Sequence, residues 1–87
     1  MTTDNVKYTN YRTTDIYFSA YLCALDVPMV TSEAVSEGPK GKKLAWIFKV
    51  PEKDIQHLKA SFFGGTGKVH ALKFCERLKS LKSMCFV

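Results

Sequence analysis

The residues nearest to a recognisable chemical pattern are Gly64-Gly65-Thr66-Gly67-Lys68. A glycine-rich turn that opens a helix can aim backbone N–H groups at a phosphate, with lysine as the counter-charge. The phosphate-loop pattern is incomplete here. It needs glycine five residues before Gly67, where Phe62 stands, and Ser or Thr after Lys68, where Val69 stands. It should also follow a strand, whereas a helical pattern precedes it. The spacing argues against a nucleotide hydrolase. It leaves a helix-helix turn stopped by glycine, or a single phosphate contact through Thr66 and Lys68.

Positive charge is the second chemical resource, and it is unevenly placed. Residues 1–37 carry two Lys/Arg against five carboxylates, net −3, while residues 38–87 carry eleven against three, net +8. Lys40, Lys42 and Lys43 crowd one turn. His70, Lys73 and Arg77 lie at i, i+3, i+7 on one flank of the last helical pattern, with Lys79 and Lys82 on the other. A basic turn beside a basic helix suits nucleic-acid phosphates, and Lys40, Lys42, Lys43, Lys68, Lys73 and Arg77 are the candidate contacts. The competing explanations are solvation of an amphipathic helix, cations favoured at a helix C-terminus, and lysines that keep a strand edge from aggregating.

Catalytic and metal chemistry find little purchase. The only carboxylate near a histidine in sequence is Asp54, three residues before His57 on one helical face, a spacing typical of a surface contact. No nucleophile, base and acid fall at a recognisable spacing, so the chain reads as non-enzymatic, with no cofactor. Cys23, Cys75 and Cys85 are odd in number, contain no Cys-x-x-Cys, and stand at no zinc spacing from His57 or His70, which points to free thiols and no metal site. Cys75 falls near the apolar side of its helix and reads as packing; Cys85, near the end of that helix, is the thiol expected to be exposed.

Positioning these side chains falls to elements that periodicity makes readable. Residues 1–11 are polar and aperiodic and read as a flexible arm, leaving 12–87 as one domain. A helix is expected from Thr13-Thr14-Asp15, with a threonine capping it, to about Asp26 before Pro28. It is apolar almost all round, so it is covered on several sides, either as the central helix of its own domain or at a subunit interface. Met29–Val35 suits an extended segment, and Leu44, Trp46, Phe48 and Val50 alternate strictly with Ala45, Ile47 and Lys49, giving a hairpin through the glycine- and lysine-rich turn. Pro51 reads as the first residue of a helix carrying Ile55, Leu58 and Phe62, stopped by Gly64-Gly65. Thr66 then caps a last helix with the stripe Ala71, Phe74, Leu78, Leu81 and Cys85. The expected fold is therefore α+β, a small single domain of order α-β-β-α-α with a two-stranded antiparallel hairpin packed on three helices.

At 87 residues, 46% hydrophobic and 24% charged, the chain has the length for one core and too much apolar content for disorder. No apolar run nears the roughly 18 residues of a membrane span, and no signal peptide is visible, so a cytoplasmic, membrane-free protein is expected. Tyr11-Arg12-Thr13-Thr14-Asp15 with Ala20-Tyr21-Leu22, the strand Leu44-Ala45-Trp46-Ile47-Phe48, and Phe74 through Leu78-Lys79-Ser80-Leu81-Lys82-Ser83 resemble a family of small uncharacterised bacterial and phage proteins, over residues 11–86. The resemblance implies a bacterial or phage-infected host and transfers no site residue. Two functions follow from the residues. The first is nucleic-acid binding through the basic half. The second is a protein-interaction module, either a homodimer or an inhibitor or regulator docking on a larger protein, with Tyr17, Tyr21 and Phe63 as interface residues.

Overall fold

The alternating segment is the middle strand of the sheet. In a computed structural model of the protein, which describes residues 7–38 and 41–85, with side chains placed outside 37–42, it forms β3 (Gly41–Pro51). Leu44, Trp46, Phe48 and Val50 are all buried on one face. On one side β3 pairs antiparallel with β2 (Met29–Gly38), as the turn chemistry predicts. On the other side it pairs with β1 (Tyr8–Thr13), so the sheet has three strands in the order β1-β3-β2. The chain order is β-α-β-β-α-α, with α1 (Ile16–Ala24), α2 (Ile55–Phe63) and α3 (Ala71–Cys85).

The third strand corrects the two-stranded hairpin, and it takes Tyr8–Tyr11 out of the expected arm. In β1, half-buried Thr9, Tyr11 and Thr13 stand opposite Val50, Phe48 and Trp46, while Tyr8, Asn10 and Arg12 face outward. Threonine and tyrosine are good strand formers, but only Tyr11 of the inward set joins the core. On the outer face Arg12 Nε donates to Glu33 Oε1 at 2.6 Å. Arg12 lies opposite Ile47 and Glu33 opposite Ala45, so the pair straps β1 to β2 across β3. Both partners are half exposed, which limits the strap to at most ~1 kcal/mol. Register shifts at Met29/Thr31 and Ala34/Ser36 leave Val30 and Val35 as the extra residues of two bulges, and both valines are exposed.

Helix α1 is closed at both ends by local chemistry. The Asp15 carboxylate, not a threonine, is the cap: it accepts from the N–H groups of Tyr17 and Phe18 at 2.9 and 3.1 Å, an arrangement that contributes ~1 kcal/mol. Thr13 Oγ1 in turn accepts from the Asp15 N–H at 3.1 Å. At the other end Asp26 takes a left-handed φ of 63°, its N–H donating to Cys23 O and that of Val27 to Leu22 O, which is a Schellman stop with aspartate in the place usually held by glycine.

The apolar circumference of α1 is covered within the chain. Phe18, Ala20, Tyr21, Leu22 and Ala24 are buried between the sheet, α3 and the end of α2. Phe18 lies 5.9 Å from Tyr11, 5.3 Å from Phe62 and 5.6 Å from Phe63, centroid to centroid, so one aromatic cluster joins β1, α1 and α2. Pro51 closes β3 rather than opening α2; a 3-10 turn at Glu52–Asp54 intervenes, and the Glu52 N–H donates to Lys7 O at 2.8 Å. Ile55, Leu58 and Phe62 of α2 and Phe74, Leu78, Leu81 and Cys85 of α3 pack on the core as their spacing predicts, while Ala71 is exposed. Cys75 is exposed and Cys85 half-buried, the reverse of the expectation.

Candidate nucleic-acid interface

The glycine-rich segment is occupied by its own helix. The N–H groups of Gly64, Gly65, Thr66 and Gly67 donate to Ala60 O, Phe62 O, Ser61 O and Ser61 O, at 2.8 to 3.3 Å. These amides satisfy the last carbonyls of α2 and are not turned toward a ligand. Thr66 is thereby removed from the start of α3, which begins at Ala71. Lys68 remains an exposed single charge beside the loop.

The predicted basic row on α3 is divided by what lies next to it. Lys73 Nζ donates to Asp26 Oδ2 at 2.8 Å, and Arg77 lines the same hollow as Asp26 and Cys23. This flank faces the C-terminal end of α1, where cations are favoured by the helix dipole as well as by Asp26. The hydrogen bond from Lys73 and its charge, in that order, hold the Asp26 carboxyl below the usual carboxylate range, with a smaller contribution from Arg77. Burial pushes the Cys23 thiol up, and Arg77 works against it. A depressed carboxylate stabilises the fold above its unfolded-state pKa, and that contribution is lost as pH falls through the lower native value. Replacing Lys73 with Ala is expected to return the Asp26 titration to the ordinary range, checked by NMR titration of the carboxyl carbon, and to lower stability at neutral pH while leaving it unchanged below the native Asp26 titration, where the contribution is already lost.

The other flank of α3 meets the hairpin. Lys82 of α3 and Lys43 of β3 both line a surface groove of about 440 Å³, whose apolar walls include Ile16, Leu44 and Trp46. Lys82 Nζ also stands 5.9 Å from the ring centroid of Tyr17, which is 51% exposed. Two ammonium groups 39 positions apart in sequence and an exposed aromatic ring are thus brought to the end of the domain where α1 starts. Among the described residues no carboxylate lines this groove. At its wall Trp46 is 1% exposed, and its indole N–H is the one buried side-chain polar atom without a partner among the described residues.

Of the sequence candidates, Lys43 and Tyr17 therefore sit at one site, Lys68 stands apart on the α2–α3 loop, and Lys73 and Arg77 face Asp26. Lys40 and the side chain of Lys42 lie outside the described residues. Tyr21 is corrected as an interface residue. It is 5% exposed, 5.1 Å from Phe62 and 6.2 Å from Phe18, and is used in the core. Phe63 is 62% exposed, with its ring 5.6 Å from Phe18 and 4.9 Å from Phe62. Lys82 is the residue that sequence reasoning left out. Its flank was visible on the helical wheel, but only the packing of α3 on α1 decides which flank meets the hairpin.

Among the described residues no cluster of three or more His, Cys, Asp or Glu side chains is placed to hold a metal, and no helix is long and apolar enough to cross a membrane. No protein-family pattern, curated protein or solved structure matches this chain.

Proposed function

We propose that this is a small non-enzymatic binding protein that contacts nucleic-acid phosphates through the basic end of the domain, with Lys43 and Lys82 as principal contacts and Tyr17 as a stacking surface. The observation that carries this reading is the convergence of those two lysines and an exposed tyrosine, with no carboxylate among the described residues lining the groove. Phosphate contacts of this kind position a strand without reading its bases, so affinity should depend steeply on salt and little on sequence. Lys40, Lys42 and Lys68 belong to the same reading as peripheral charges, and Lys73 and Arg77 recede because they are engaged at the C-terminal end of α1. The resemblance described above implies a bacterial or phage-infected cell as the setting, and a cytoplasmic site of action is part of the same proposal.

Fluorescence anisotropy with labelled single-stranded DNA, duplex DNA and RNA at about 50 and 200 mM salt tests the proposal, since phosphate-driven binding collapses over that range. Alanine at Lys43 or Lys82 is expected to reduce the salt slope by about one each and to weaken all sequences alike, whereas alanine at Lys73 should change affinity little. No binding at the lower salt would end the nucleic-acid reading. A protein-interaction role is favoured by a different observation: Phe63 and Leu72, each 62% exposed, flank the α2–α3 loop, and such a pair of large apolar side chains suits a protein partner.

A further inference from the structure

We infer that the outer edge of β1 is a homodimer interface, at which a second copy adds its own β1 antiparallel about Asn10 and joins the two three-stranded sheets into one. The hydrogen-bond parity of the sheet fixes which groups this edge offers. Glu52 N–H donates to Lys7 O at 2.8 Å, in the same unbroken register that sets Tyr8 against Pro51 and Thr13 against Trp46. Hydrogen-bonded and non-hydrogen-bonded pairs alternate in an antiparallel ladder. Thr9, Tyr11 and Thr13 therefore bond to β3, while the N–H and C=O groups of Tyr8, Asn10 and Arg12 point away from it. The bond from Lys49 N–H to Pro28 O, on the opposite side of β3, fits the same alternation. Tyr8, Asn10 and Arg12 are exposed, and among the described residues nothing pairs with their outward backbone groups.

The two edges of the sheet are not equivalent. β2 carries bulges at Val30 and Val35, a device that turns an edge away from further pairing, whereas β1 carries none. The one cation in the outward row is drawn inward, since Arg12 reaches across β3 to Glu33 at 2.6 Å. The edge also complements itself, as a two-fold contact requires. About an axis at Asn10, Tyr8 faces the second copy's Arg12, Asn10 faces its counterpart and Arg12 faces the second copy's Tyr8, each pair exchanging two hydrogen bonds. Every outward group is then satisfied and no like charges stand opposite. Thr9 falls beside the second copy's Tyr11, a favourable aromatic and β-branched pair. An axis at Thr9 or Tyr11 leaves one outward residue without a partner in β1, and an axis at Arg12 sets two guanidinium groups against each other. That fit selects a second copy over an unrelated extended peptide. The interface shares no residue with the basic groove and stands independently of nucleic-acid binding.

Sedimentation equilibrium and ¹⁵N–¹H spectra over a dilution series test the interface; the contact is small, so dissociation is expected between about 1 mM and 1 μM. With rising concentration the amides of Tyr8, Asn10 and Arg12 are expected to gain protection from hydrogen exchange, while those of Ser32 and Ala34 on the opposite edge do not. Asn10→Lys sets two ammonium groups against each other at the axis, and Asn10→Pro removes the central donor. Neither change touches a bond to β3, so both variants are expected to keep the monomer spectrum and to weaken self-association by about tenfold or more. A protein that stays monomeric at the top of the series, concentration-dependent changes confined to Phe63 and Leu72, or full association of Asn10→Lys would each overturn the interface.

Discussion

Phe48→Ala is expected to remove about 3–5 kcal/mol of folding free energy, the usual cost of excising a fully buried phenylalanine. Phe48 is 0% exposed at the centre of the middle strand, opposite Tyr11 on one side and Met29 on the other. Both flanking strands therefore lose their shared packing partner at once, and neighbouring side chains cannot close the gap without breaking register. A chain of this length commonly has about 4–13 kcal/mol in total, so the loss is a large share of the stability and leaves the variant partly unfolded at ambient temperature if the wild type lies at the low end of that range. Urea unfolding followed by Trp46 emission measures this, because the single tryptophan is enclosed in the fold and solvated outside it. Phe48→Leu, which keeps most of the volume, is expected to lose only about 1 kcal/mol. Equal losses in the two variants would mean that cavity formation is not what destabilises the protein.

Gly67→Ala is expected to cost about 1–3 kcal/mol although the residue lies in a loop, because the change overpacks the core beneath it. A Cβ there would fall on the Tyr21 hydroxyl and come within 2.8 and 2.9 Å of two of its ring carbons. Tyr21 has little room to withdraw, being buried against Phe18 and Phe62. Removing the hydroxyl in Gly67→Ala/Tyr21→Phe should recover part of the loss, the ring carbons still being too close for all of it. At Gly65 the argument is different: φ is 79° and nothing lies within 4 Å of an added Cβ, so Gly65→Ala is limited to the backbone cost of about 1 kcal/mol. Urea midpoints for the wild type, Gly67→Ala, Tyr21→Phe, the double variant and Gly65→Ala separate steric from conformational glycine, and additive effects at positions 67 and 21 would refute the contact.

These two sites also mark where sequence pattern is and is not informative. Strand β3 and the inward stripes of α2 and α3 were legible because each buries large apolar side chains at a fixed period. Strand β1 was hidden because two of its three inward residues are threonines, so its alternation is one of shape and β-propensity and not of hydrophobicity. The stop of α2 is legible in Gly64-Gly65, but Thr66 is a capping residue type that suggests a start for α3 too early, ahead of Ala71. What decides the matter is that the loop amides are already committed to α2, information carried by carbonyl positions and not by residue identity.

The candidate site divides in the same way. The abundance of lysine was plain, and its partition was not. Two chemically similar flanks of one helix meet different surroundings, an aspartate on one side and a second lysine on the other. That Lys73 would find Asp26, 47 positions away, depends on α3 lying across the end of α1, which no local period encodes.

The covering of α1 sets the order in which the protein can be made. Its buried face is closed by β3, which follows it by some twenty residues, and by α3, whose Leu81 is buried in the same core. A ribosome-bound chain released only as far as β2 holds a helix apolar on nearly every side with nothing to set it against, and β1 has no partner until β3 emerges. Translation thus delivers the parts in an order that postpones assembly, and the nascent N-terminal third is the portion most in need of a chaperone until α3 arrives.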